Sequence, residues 1–96
     1  MQFFAVLKRN TEQFTDSDFA PVLPAEGEQR RTLYAEGVVR QIWNRGDVPG
    51  SCMMFEAESD VAVRDQLATL PLIKAGMMQI VSVIALNPYP GFGPKR

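Results

Sequence analysis

An unbroken apolar run, Phe3-Phe4-Ala5-Val6-Leu7, opens the chain and is closed by Lys8-Arg9-Asn10. A short continuous run of this kind reads as a strand buried on both faces. The stretch from Asn10 to Pro24 is polar at first and then carries Pro21 and Pro24. Asp16 or Ser17 caps a short helical turn there, anchored by Phe19, Val22 and Leu23. Pro24 suits the first turn of a longer helix, where its missing N–H costs little. That helix is predicted over 24–36, and Gly37 suits a left-handed C-terminal cap. Val38 to Arg45 alternates loosely, with Val39, Gln41 and Trp43 on one face and Val38, Arg40, Ile42 and Asn44 on the other. Gly46-Asp47-Val48-Pro49-Gly50 is a turn by composition, and Cys52 to Ala57 is the strand that completes a β-hairpin. Ser59 is an N-cap for a helix over 60–69, which Leu70-Pro71-Leu72 stops. Met77 to Leu86 is a second long apolar run, rich in Ile and Val. Asn87 to Pro94 is proline-rich and suits neither a helix nor a central strand.

The order β-α-β-β-α-β is the split pattern of a ferredoxin-like α+β fold with a four-stranded antiparallel sheet. One domain is expected over 1–96, with a core at 1–86 and an arm at 87–96. Two helices cover one sheet face. The other face also reads as apolar and needs a second cover, most simply the same face of another copy. A homodimer or a higher homo-oligomer is therefore expected.

Composition narrows the chemistry. Hydrophobic residues are 46% and charged residues 22%, which excludes an intrinsically disordered chain. Ten basic and eleven acidic residues give a net charge of -1, so the basic surplus of a nucleic-acid binder is missing. Lys95-Arg96 is too short for a basic tail. One cysteine and no histidine exclude a disulfide framework and the common zinc sites, so no metal is expected. No stretch is long and apolar enough to span a bilayer, and Met1-Gln2-Phe3-Phe4 has no basic leader segment. A cytoplasmic chain with no membrane partner is the expectation. Without histidine, proton chemistry falls to carboxylates, Lys, Tyr or Cys52.

The helix over 24–36 carries the candidate chemistry. Val22, Glu26, Gln29 and Leu33 share one helical face if the helix extends back to Val22. That places Glu26 on or beside the buried side, where a carboxylate loses hydration and is suited to accept and return a proton. The alternative is that Glu26 turns outward and only complements the helix dipole. Glu28 lies about 200° further round and faces the other way. Gly27 leaves room for a ligand beside Glu26. Arg40, on an apolar strand face, needs an anion, either a substrate carboxylate or an internal acid such as Glu26 or Glu36. Trp43 is either core or the wall of a cavity for a planar ligand. Tyr34 is either a packing residue or a hydrogen-bond donor in a pocket. Cys52 has no histidine to activate it and reads as an inert buried thiol.

Leu33-Tyr34-Ala35-Glu36-Gly37, then Arg40 and Trp43, Phe55 and Ser59, Leu67, Leu70-Pro71-Leu72 and Asn87-Pro88 together resemble the muconolactone delta-isomerase family. The spacing is gap-free from Glu26 to Pro88. The resemblance implies a sheet-to-sheet dimeric α+β barrel whose C-terminal arm, with Tyr89 and Phe92 as anchors, reaches a neighbouring subunit. It implies a cofactor-free isomerase in aromatic-compound catabolism. A small anionic unsaturated lactone would lose a proton at one ring carbon and regain one two carbons away. Glu26 would carry the proton, Arg40 would hold the substrate carboxylate and Trp43 would form part of the ring wall. Tyr34 or Ser51 would donate to the lactone oxygen as negative charge develops there. The hairpin after Trp43 departs from the family, which carries histidine there. Other activities on this scaffold are a cyclase or monooxygenase acting on an aromatic polyketide-like substrate, or a non-catalytic module that binds a small ligand.

Overall fold

The first apolar run forms strand β1 (Gln2–Arg9), and its side chains alternate. Phe3, Ala5 and Leu7 are buried on one side, while Phe4 and Val6 are only half-buried on the other. The structure, a computed structural model, describes residues 1–93. Pro94 at the end of the arm and Lys95-Arg96 lie outside the described residues.

A short helix, α1 (Asp16–Phe19), follows. Its cap is Thr15, one residue ahead of Asp16 and two ahead of Ser17, the caps expected. The Thr15 hydroxyl accepts from the Asp18 N–H at 3.3 Å, and the Asp18 carboxylate accepts from the Thr15 N–H at 2.8 Å. Only a cap three residues before Asp18 can make this reciprocal pair. Helix α2 (Leu23–Ala35) has Pro24 in its first turn, as expected, and starts and ends one residue early. Gly37 has φ 77°, and the Val38 N–H bonds back to the Leu33 carbonyl at 3.0 Å. This is the left-handed cap that Gly37 suggested.

Strand β2 (Val39–Asn44) pairs with β3 (Gly50–Glu56) across a five-residue loop, 45–49. A bulge lies between Val39 and Gln41, which pair with Phe55 and Met54. The extra residue is Arg40, and it reverses the alternation. Val39 is therefore buried under the helices, while Trp43 lies on the opposite face with its ring centroid 6.0 Å from that of Phe4. The expected common face for Val39 and Trp43 is overturned, and Trp43 is not core: 44% of it is exposed.

Gly50 pairs with Lys8 at the end of the β1–β3 ladder. A Cβ there would press into the Leu7 carbonyl oxygen, which is backbone and cannot give way. Gly50→Ala is expected to destabilise the chain by about 1–3 kcal/mol, read as a lower urea midpoint at unchanged slope. An unchanged midpoint would show that β1 and β3 are not held at this spacing.

Ser59 caps helix α3 (Asp60–Leu67) by accepting from the Ala62 N–H at 3.1 Å. Leu70-Pro71-Leu72 does more than stop it. Pro71 starts another short helix, α4 (Pro71–Lys74), and Leu67, Leu70 and Leu72 are all fully buried. Strand β4 (Met78–Leu86) then pairs with β1, with a register shift opposite Val6 and Leu7.

The sheet order is β2-β3-β1-β4 and every neighbouring pair is antiparallel. This is the ferredoxin-like α+β arrangement. One face carries the core, where Phe3, Ala5, Leu7, Met53 and Phe55 meet Phe19, Leu33, Val63, Leu67 and Leu72. The other face shows Phe4, Val6, Cys52, Met54, Trp43 and Ile84 with no cover among the described residues. It is half-buried or exposed in the single chain, so the expectation of strands buried on both faces is not met within one copy. No helix among the described residues is long and apolar enough to cross a membrane.

Candidate functional site

Helix α2 places Glu26 and Leu33, two turns apart, against the sheet. Glu26 is 4% exposed, as its face predicts, and Glu28 is exposed. Each Glu26 carboxylate oxygen has a donor. Oε2 accepts from Arg30 Nε–H at 2.7 Å, and Oε1 accepts from the Leu72 backbone N–H at 3.0 Å. That amide belongs to the first turn of α4 and has no partner within its own helix. Burial penalises both charges of the pair, and the two short charge-assisted bonds offset that cost.

Arg30 reaches further than Glu26. One terminal nitrogen donates to Ser51 Oγ at 2.9 Å, and the other lies 3.8 Å from Met78 Sδ. A single guanidinium thus ties α2 to β3 and β4. Its side chain keeps 15% exposure. It also lines a groove of about 260 Å³ with Arg31, Tyr34, Arg40, Gln41 and Ile42, between α2 and β2.

The groove is cationic. Arg30 is matched by Glu26, and Arg31 by Glu28 at 3.4 Å. Arg40 is exposed and makes no ion pair among the described residues. Neither Glu26 nor Glu36 is its partner, so the internal salt bridges considered for it are not formed. Arg40 is the extra residue of the bulge, and among the described residues it is the one uncompensated positive charge in the groove. Tyr34, 65% exposed, lines the same groove.

A second hollow, about 460 Å³, lies on the uncovered sheet face. Phe4, Val6, Trp43 and Cys52 line it together with the start of the hairpin loop. Arg45 grips Asp47 there with two bonds, 2.9 and 2.7 Å. The Arg45 hydrogen bonds, and then the Val48 N–H, hold the Asp47 carboxyl down at about 2, and Asp47 in turn raises Arg45. These charges satisfy each other, so the hollow is effectively apolar. Cys52 is half-buried in its wall rather than sealed in the core.

The five residues singled out from sequence therefore fall in three places. Glu26 and Ser51 are brought together, both bonded to Arg30. Tyr34 and Arg40 share the groove on the outer side of that guanidinium. Trp43 is separated from them by the sheet. Arg30 was missed. Its signal was the Glu26-to-Arg30 spacing of four, which puts two opposite charges one turn apart on a helix. The room expected beside Gly27 is taken by Arg31, whose guanidinium nitrogen would lie 3.3 Å from a Cβ there.

Comparison with solved structures gives the same fold. A crystal structure of muconolactone isomerase superposes with a TM-score of 0.77 at 24% identity, covering 100% of this chain and 98% of that one. The 5-chloro-2-hydroxyhydroquinone dehydrochlorinase TftG of Burkholderia phenoliruptrix AC1100, solved with 2,5-dihydroxybenzoquinone, superposes with a TM-score of 0.65 at 20% identity. That match covers 95% of this chain and 96% of the dehydrochlorinase. No curated protein sequence matches significantly. The muconolactone delta-isomerase family model matches residues 1–91. With the fold and nearly the whole sequence in agreement, this chain belongs to the muconolactone delta-isomerase family.

Proposed function

We propose that this chain is a cofactor-free isomerase that moves a proton between two ring carbons of a small anionic unsaturated lactone. The observation that carries this reading is the buried Glu26 carboxylate, one guanidinium away from a groove that holds an unpaired cation. Arg40 takes the substrate carboxylate, which matches the single uncompensated charge of the groove. Glu26 takes the proton as the ring C–H bond breaks, and the electron pair moves through the double bond onto the lactone carbonyl oxygen. Tyr34 is the donor for that oxygen, because it lines the groove and its hydroxyl can donate. Ser51 lies beneath, where it holds Arg30. Glu26 then returns its proton two carbons away, a new C–H bond forms, and the double bond has shifted. No electron leaves the substrate, so the step balances as a proton transfer alone.

The anion assignment has a direct test. Arg40→Ala is expected to raise KM for muconolactone about tenfold, with kcat within about threefold. The methyl ester of the same lactone should show no such change in KM. Equal losses for acid and ester would remove the anion anchor from this position.

We assign Trp43 to a sheet-to-sheet homodimer, with Phe4, Val6, Met54 and Ile84 around it. An apolar sheet face of this extent is normally covered, and the arm carrying Tyr89 (79% exposed) and Phe92 (88% exposed) is free to reach the neighbour. Light scattering should give at least twice the chain mass of 10.7 kDa for the wild type, falling toward the monomer in Ile84→Lys. A wild-type monomer would contradict this assignment and leave the fold untouched.

A further inference from the structure

We infer that Arg30 is a positioning residue that uncovers Glu26 when the substrate's carboxylate enters the groove. The inference rests on the isomerase reading above and adds a residue to it. Arg30 covers Glu26 Oε2 with its Nε–H, and the same side chain forms part of the groove wall. Glu26 is 4% exposed and does not itself line the groove, so a ring carbon in the groove reaches Oε2 only once the guanidinium moves aside. The guanidinium has five N–H groups in a planar fork. One is used on Glu26 and one on Ser51, and one terminal nitrogen has only the Met78 sulfur, a weak acceptor, at 3.8 Å. The fork therefore has donors to spare for a second carboxylate.

The surroundings favour the exchange. Arg40 stands in the same groove without an ion pair among the described residues, so an entering anion meets two guanidinia at once. Arg31 is occupied by Glu28. Ser51, nearly buried, holds one terminal nitrogen and serves as the pivot about which the Nε edge turns away from Glu26. The Leu72 N–H keeps its bond to Oε1, so the carboxylate stays in place while Oε2 is exposed to the ring. Reaction is thereby tied to a substrate that carries its own negative charge. A neutral lactone leaves Arg30 where it is and meets a covered acid.

The test compares muconolactone with its methyl ester. In the wild type, kcat for the acid should exceed kcat for the ester by about tenfold or more. In Arg30→Gln that ratio should fall to within about twofold, and Arg30→Lys, which keeps charge but not the fork, should restore part of it. An acid-to-ester ratio in Arg30→Gln equal to the wild type would overturn the inference. A merely structural role would lower both substrates together and leave the ratio alone. A second readout needs no variant: the Arg30 Nε–H signal in the NMR spectrum of the wild type, titrated with the saturated, non-reacting lactone acid. The signal should move and saturate; if it stays fixed while the Arg40 signal moves, Arg30 plays no such part. Should the wild type turn over neither substrate, the isomerase reading fails. The Arg30 signal then decides the coupling by itself, a shift supporting it and a fixed signal rejecting it.

Discussion

Glu26→Gln is expected to lower kcat for lactone isomerisation by about 10²–10⁴-fold while KM stays within about threefold. Glutamine has the same length and shape, and its amide oxygen can still accept the Leu72 N–H, while its NH2 replaces the oxygen that accepts from Arg30 Nε–H, so that one bond is lost. It cannot hold and return a proton. The substrate carboxylate is held in the groove by other groups, so ground-state binding is preserved. Steady-state kinetics on the purified variant read both constants. A kcat within about twofold of the wild type would remove Glu26 from the chemistry and leave Tyr34 as the next candidate in the groove.

The second large effect concerns stability. Glu26→Ala leaves the Arg30 guanidinium and the Leu72 amide without their partner in a nearly closed space. Breaking a buried pair from one side costs about 3–5 kcal/mol. Replacing both members together, as Glu26→Leu with Arg30→Met, removes both charges at once but still leaves the Leu72 N–H and the Ser51 hydroxyl without their partners, so it is expected to recover part of that loss and to stay about 1–3 kcal/mol below the wild type. Urea titrations of the two variants give the comparison. The double variant should be more stable than Glu26→Ala and catalytically dead. That outcome separates the two roles of the pair: an apolar filling recovers part of the stability, and the acid is needed for the reaction. If Glu26→Ala costs less than about 1 kcal/mol, the carboxylate is better hydrated than its 4% exposure implies.

Much of this was legible in the chain. Pro24 and Gly37 bracket the helix that carries Glu26, and Ser59 marks the start of α3, because caps and prolines act on backbone groups within a few residues. The burial of Glu26 followed from sharing a face with Leu33, since the period of a helix is fixed. What escaped the pattern was set by contacts distant in sequence. The bulge at Arg40 adds one residue, and an alternation of period two cannot reveal which residue is extra; Trp43 consequently moved to the other face. Arg30 reads as an ordinary surface partner of Glu26 at spacing four. Only the fold brings Ser51 and Met78, 21 and 48 residues away, against its other two nitrogens. The Leu72 amide donates to Glu26 because Pro71 starts a new turn, a long-range consequence of a local motif read only as a stop.

The most direct measurement is the ultraviolet absorbance of muconolactone mixed with the purified chain, with no metal or cofactor added. A shift of the ring double bond alters the conjugation, so turnover appears as a steady absorbance change. Conversion is expected at a rate in the ordinary range for enzymes, about 1–10³ per second at saturation, lowered about 10²–10⁴-fold in Glu26→Gln. A flat trace from the folded wild-type protein, at every lactone concentration tried, would contradict it.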